Sequence, residues 1–279
     1  MSTSNPGLFS RGAVQTQGGA TTRWSIGSRS EHLIIADYNN VRVLCFESGY
    51  IHGAMDCDQP ERLVLPYEQG LTFIYTLAPP PRRVLLLGLG SGDQIRFLRH
   101  HFPECEIWAV EWDRRIAWAV ERHFSLVERM ADRIVLGDAE RVEELVPAEY
   151  FDAAIIDLHG PLAPATVTGK KTFYEALASR LSSDAWVAAN LWMPEDADPF
   201  SVVAAMENGL AGKTQILPVP DYQNVLSFNL RGSVRPCQRA ELESRVRIGE
   251  VRYQTSLASH LEPFWQANAT ATASVWVAS

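Results

Sequence analysis

Val84-Leu85-Leu86-Leu87-Gly88-Leu89-Gly90-Ser91-Gly92-Asp93 is the stretch on which the reading of the fold turns. Four consecutive apolar residues suit a strand buried on both faces. Three glycines at alternate positions then allow a tight turn. Asp93 opens a segment running to His101 with Ile95 and Leu98 on one side, which predicts a helix. A strand that passes through glycines into a helix is a unit of an α/β sheet, and the helix start offers free N–H groups to whatever lies beyond the strand.

The same rhythm continues toward the C-terminus. Short apolar runs predict strands at 107–110, 134–136, 153–156, 185–191, 215–219 and 225–230, and the spacing between them predicts helices at 114–124, 172–181 and 199–210. This alternation predicts a doubly wound α/β sheet. After Pro236 come helical stretches and a Thr/Ala-rich end to which the sequence assigns no role. Toward the N-terminus, Pro79-Pro80-Pro81 marks a boundary. Before it, 63–77 has helical spacing with Pro66 in its first turn, and β-rich runs flank Asn39-Asn40 in a small antiparallel meander. Residues 1–30 are polar and glycine-rich and read as a flexible tail. The expected division is therefore a tail at 1–30, a small β domain with its connecting helix at 31–80, and a larger α/β domain at 81–279.

Composition narrows the classes. The 279 residues are 46% hydrophobic and 21% charged, with a formal charge of −8. An acidic chain lacks the basic footprint of broad nucleic-acid binding. Cys45, Cys57, Cys105 and Cys237 form no C-x-x-C pair, which argues against a zinc ribbon and for reduced thiols in the cytoplasm. No metal site is expected. The first 22 residues have no apolar core of a signal peptide, and no apolar run approaches the roughly 18 residues of a membrane span.

In open α/β sheets, ligands bind beyond the carboxyl ends of the strands. Gly88, Gly90, Ser91, Gly92 and Asp93 follow the first of these strands. A dinucleotide fingerprint would place a third glycine where Asp93 stands, and a carboxylate there would repel a pyrophosphate. Glu111, 21 positions beyond Gly90, ends the second strand and suits two ribose hydroxyls. Asp138 and Ala139 end the third, where a carboxylate can accept from an adenine amine. Together these point to an adenosine ligand carrying a sulfonium in place of phosphates: S-adenosylmethionine or its decarboxylated form, as co-substrate. Asp157 ends the fourth strand, where a carboxylate can orient an attacking amine and take its proton. The plainer alternatives are solvated strand-end acids and a loop-capping aspartate.

The segment from Asp157 to Leu177 resembles the spermidine synthase (polyamine aminopropyltransferase) family. Asp157, Pro161, Pro164, Ala165, Phe173, Tyr174 and Leu177 fall in register with its D-x-x-D-P-x-G-P-A … F-Y-x-x-L pattern, and the likeness runs from about Ile51 to Phe228. Tyr67 falls on the tyrosine of the family's Y-x-E-x-x-x-H motif. The resemblance implies an S-adenosylmethionine-dependent methyltransferase-like sheet preceded by a small β domain. It also implies a cytoplasmic homodimer, transferring an aminopropyl group from decarboxylated S-adenosylmethionine to a small amine, with neither nucleic acid nor membrane as partner. It makes Asp157 the base or amine orienter, Tyr67 its helper, and His52, His159 and Tyr222 substrate-side residues. The departures are specific. Ser91 stands where the family's loop has an aspartate for the aminopropyl ammonium, Gly160 replaces a second catalytic-loop aspartate, and Gln69 and Phe73 replace the glutamate and histidine of the tyrosine motif. These departures keep two other readings open, a methyltransferase on the same scaffold and a non-catalytic nucleoside-binding descendant.

Overall fold

The computed structural model describes residues 21–27, 32–46, 51–125, 131–159, 166–192, 199–269 and 273–279. The first four strands, β1 (Thr21–Ile26), β2 (Leu33–Tyr38), β3 (Val41–Phe46) and β4 (Ile51–Asp56), form an antiparallel sheet in chain order. β2 and β3 pair from Leu33↔Phe46 to Tyr38↔Val41, and Asn39 takes a positive φ of 54° in the two-residue turn between them. β1 lies inside the span expected to be a flexible tail. It is almost wholly exposed and polar, so no apolar alternation marks it, and its pairing with β2 and the packing of Trp24 on Trp118 hold it. Residues 1–20, and Pro161, Pro164 and Ala165 of the resembling segment, lie outside the described residues.

The expected helix at 63–77 is two short ones, α1 (Pro66–Leu71) and α2 (Ile74–Leu77). The break has a local cause. Thr72 turns both its backbone N–H and its hydroxyl onto the Gln69 carbonyl, at 3.1 and 2.6 Å, which tightens the turn and ends α1.

The large sheet contains β5 (Arg83–Leu87), β6 (Glu106–Glu111), β7 (Arg133–Leu136), β8 (Phe151–Ile156), β9 (Leu181–Trp192), β10 (Lys213–Pro218) and β11 (Asn224–Leu230). Its order is β10-β11-β9-β8-β5-β6-β7; β11 runs antiparallel to both neighbours and the other pairings are parallel. The crossover helices are α3 (Asp93–His101), α4 (Arg114–His123), α5 (Val142–Leu145), α6 (Lys171–Ala178) and α7 (Pro199–Leu210). Successive residues of β5 alternate between two cores. Val84 and Leu86 join α1–α4 and the N-terminal sheet, whereas Leu85 and Leu87 join α5, α6 and α7. This is a doubly wound methyltransferase-like sheet with a small antiparallel sheet before it, and the two sheets share one continuous core. The unassigned C-terminal segment forms a two-stranded ribbon, β12 (Val234–Gln238) with β13 (Ser274–Ala278), around α8 (Arg239–Tyr253) and α9 (Ala258–Asn268). α8 packs on α2, and the ring of Phe264 of α9 lies 4.7 Å from that of Phe73, tilted by 44°.

Candidate active site

The strand order reverses between β5 and β8, and a cavity of about 270 Å³ opens beyond the strand ends on that side. The backbone geometry shows why glycine is required there. Gly88 has φ 95°, and a Cβ on it would stand 2.2 Å from the Asp157 carbonyl oxygen. Gly90 has φ 52°, and its Cβ would stand 2.7 Å from the His52 carbonyl oxygen. The glycine loop is thus pressed between the end of β8 and strand β4 of the small sheet, which fixes both against the site.

Glu111 ends β6 in the cavity wall and is 4% exposed. Its Oε2 accepts from the Leu89 N–H at 3.0 Å and its Oε1 from the Asp113 N–H at 2.8 Å. Burial raises its pKa above the usual range against those backbone donors. The carboxylate is therefore clamped on both oxygens, each with a lone pair left for a ligand hydroxyl. Asp138 accepts from the Glu140 N–H at 2.9 Å and lines the cavity with Ala139. Trp112, 61% exposed, stands beside Glu111 as an aromatic wall that the sequence reading missed. Its signal was a bulky aromatic directly after a strand-end acid.

Asp157 follows β8 and its Oδ1 accepts from Asn190 Nδ2 at 2.8 Å; Asn190 Oδ1 accepts in turn from Asn224 Nδ2 at 2.9 Å. His159 Nδ1 lies 3.2 Å from the same Asp157 oxygen. Burial pushes the Asp157 pKa up, but His159, Asn190 and His52 outweigh it and hold the carboxyl below its usual range. His159 reaches the cavity wall. His52 sits edge-on to it at 6.2 Å and against Phe46 at 4.7 Å, and burial and His159 depress its pKa to about 3, so its ring stays neutral. Asn190 and Asn224 escaped the sequence reading. The signal was a lone buried amide in the apolar run Val187-Ala188-Ala189-Asn190-Leu191, since a buried polar side chain requires a partner.

Ser91 and Asp93 are not among the residues lining this cavity. Both are buried, and Asp93 takes the Ser91 hydroxyl and the Arg96 guanidinium. Arg96, 1% exposed, also donates to the carbonyls of Pro60 at 2.7 Å, Ser91 at 2.6 Å and Phe124 at 2.9 Å. Gly90 and Gly92 shape the loop behind the wall, and Gly88 is its one glycine in the wall among the described residues. Tyr67 is buried on the inner side, its pKa raised by burial and by the charges of Asp157, Glu68 and Asp93. Tyr222 is half-buried against the core that holds Tyr67, outside the cavity wall. No group of three His, Cys, Asp or Glu among the described residues is placed to hold a metal ion. No helix among them is long and apolar enough to cross a membrane.

The chain is 25% identical over 241 residues to the polyamine aminopropyltransferase of Chromobacterium violaceum, a match covering 84% of this chain and 89% of that one. The chain is a divergent relative of the polyamine aminopropyltransferases. The spermidine synthase of Solanum lycopersicum is 28% identical over 170 residues, 57% of this chain and 49% of that protein, so the chain spans about half of the tomato relative. No protein-family model matches the chain. Among solved structures, a spermidine synthase in complex with the transition state analogue AdoDATO aligns at a TM-score of 0.63 and 18% identity, over 87% of this chain and 84% of that one. Human methyltransferase-like protein 13 in complex with SAH aligns at 0.60 and 17%, over 69% of this chain and 94% of that one. The two likenesses establish the fold and do not separate the chemistries built on it.

Proposed function

We propose that this protein is an aminopropyltransferase, moving an aminopropyl group from decarboxylated S-adenosylmethionine to a small amine. The observation that carries the reading is the placement of Asp157. Its carboxylate, anchored by Asn190, opens the segment that ends in the cavity-wall residue His159, across a nucleoside-sized space from Glu111. Glu111 holds the ribose hydroxyls and Asp138 receives the adenine amine; Gly88, Gly90, Ser91, Gly92, Asp93 and Ala139 shape this half of the site. Asp157 orients the acceptor amine, with Tyr67 in support and His52, His159 and Tyr222 on the acceptor side. Positioning and deprotonation of the amine are the enzyme's main tasks, because a direct displacement at a sulfonium needs little else. The relationship to aminopropyltransferases supports the same reading and extends it to a cytoplasmic homodimer, which light scattering on the purified chain checks.

One observation favours a methyltransferase instead. The acid of the glycine loop is spent on Arg96, which leaves no loop carboxylate for the ammonium of the aminopropyl chain. The deciding experiment offers the protein decarboxylated and intact S-adenosylmethionine with a panel of α,ω-diamines and triamines, and identifies products by mass spectrometry. An aminopropylated amine supports the proposal, a methylated one replaces it, and binding of methylthioadenosine without transfer supports a non-catalytic descendant.

A further inference from the structure

Two groups converge on one oxygen of the site, and a third fixes one of them. Asn190 Nδ2–H donates to Asp157 Oδ1 at 2.8 Å, and Asn224 fixes the Asn190 amide by donating to its oxygen at 2.9 Å. His159 Nδ1 approaches that same Oδ1 at 3.2 Å. The amide cannot take a proton from Asp157 or give one up, so the carboxylate is held as an acceptor toward the imidazole. A carboxylate on Nδ1 keeps the proton on that nitrogen and leaves the Nε2 lone pair as the basic one. The ring is mostly enclosed, with 18% of its side chain exposed, and lines the cavity. The titratable groups that face it are Asp157 from its own segment and His52 from β4, with Glu111, Asp138 and Glu140 across the cavity wall. His52 is held neutral there and so does not compete for the proton.

Resting on the aminopropyl-transfer reading, we infer that His159 Nε2 is the proton acceptor for the incoming amine, and that Asp157 acts through His159 as its positioning residue. An alkylammonium reaches the site with no lone pair to attack with. His159 takes one proton from it and becomes imidazolium, stabilised by Asp157. The freed nitrogen lone pair forms the new bond to the carbon attached to sulfur. The carbon–sulfur bond breaks, its electron pair neutralises the sulfonium, and methylthioadenosine leaves. The product is a secondary ammonium, and His159 returns its proton to solvent. The arrangement also accounts for Gly160 at the place of a second acid, because an imidazole held by Asp157 performs the proton transfer that a second carboxylate would assist.

The test is His159→Gln, which keeps size and a hydrogen-bonding end but has no basic nitrogen. Two acceptors are compared under single-turnover conditions: the best diamine found, and its 2,2-difluorinated analogue, whose neighbouring amine is far less basic and is unprotonated in a much larger fraction at neutral pH. With the ordinary diamine the variant should lose about 10²–10⁴-fold in rate. With the fluorinated one it should lose far less, because much of that amine arrives without the proton, and methylthioadenosine should bind as in the wild type. Equal loss on both amines makes His159 structural and overturns the inference, as does a variant as fast as the wild type. A wild type that transfers to no amine overturns the function reading and this inference with it. An active wild type beside an unaffected variant overturns this inference alone.

Discussion

The two halves of the site contrast in how their acids are used. On the nucleoside side, Glu111 and Asp138 stand in the cavity wall, each tied only to backbone N–H groups and open on the remaining lone pairs. On the side behind the glycine loop, Glu68 and Asp93 are buried and do not line the cavity, and Asp93 is paired with the Arg96 guanidinium. Two acids of each kind thus serve opposite ends. Backbone donors fix a carboxylate without neutralising it, so it still recognises a ligand; a buried guanidinium consumes it. Asp93, the acid of the glycine loop, is of the second kind: it takes the Ser91 hydroxyl and the Arg96 guanidinium and so serves the fold.

The contrast breaks most visibly at Arg96. Arg96→Met leaves Asp93 buried without its cation, and removing one partner of a buried pair costs about 3–5 kcal/mol. Urea unfolding should show that loss, and methylthioadenosine affinity of the folded fraction should be unchanged. A stable variant with weakened nucleoside binding would mean that the cluster serves the ligand after all. The companion replacement has the opposite sign. Burial and Asp93 raise the Glu68 pKa well above its ordinary 4.5. Below that value the group is protonated folded and unfolded alike. As pH rises past it, only the unfolded chain releases the proton, so Glu68 withdraws stability progressively up to its folded pKa. Glu68→Gln should therefore match the wild type near pH 4.5 and exceed it in urea midpoint at pH 8; a constant difference at both pH values would remove Glu68 from the linkage.

On the nucleoside side the larger effect is at Glu111. Glu111→Gln removes the charge and turns one acceptor oxygen into a donor. Hydrogen bonds to a charged group contribute roughly 1.5–3 kcal/mol, so methylthioadenosine should bind at least about tenfold more weakly. Adenine, which has no ribose, should lose much less. Equal losses would place Glu111 in the scaffold of the glycine loop alone.

How much of this was legible in the sequence depended on where each residue's partners lie. β5, the glycine turn and α3 were readable because an apolar run, three glycines and a helical period are adjacent in the chain; α3 and α7 fall on the residues expected. β1 was not, because its exposed face carries no alternation. Glu111, Asp138 and Asp157 were found by position, each at a strand end. The fate of Asp93 was invisible, although Arg96 is only one helical turn away, because the pair is sealed by the carbonyls of Pro60 and Phe124, which the fold brings from elsewhere. The Asn224–Asn190–Asp157 chain likewise joins β11, β9 and the end of β8, and only the sheet order makes them neighbours.

The smallest expected effect is also the most selective. Asp138 is exposed at the cavity rim and already accepts from the Glu140 N–H, so it has one free oxygen to offer and solvent competes for it. An exocyclic amine of adenine can donate to that oxygen, whereas hypoxanthine presents a carbonyl oxygen at the same place and would meet the carboxylate lone pair to lone pair. A single exposed hydrogen bond contributes roughly 0.5–1.5 kcal/mol, so Asp138→Ala should weaken methylthioadenosine by about two- to tenfold. The inosine analogue should be spared or bound slightly better, because the variant removes a repulsion rather than a bond. Calorimetric titration of both nucleosides against both proteins reads the difference directly. If the two lose affinity equally, Asp138 acts as the cap of its helical turn, and recognition of the base passes to the Trp112 face on the other side of Glu111.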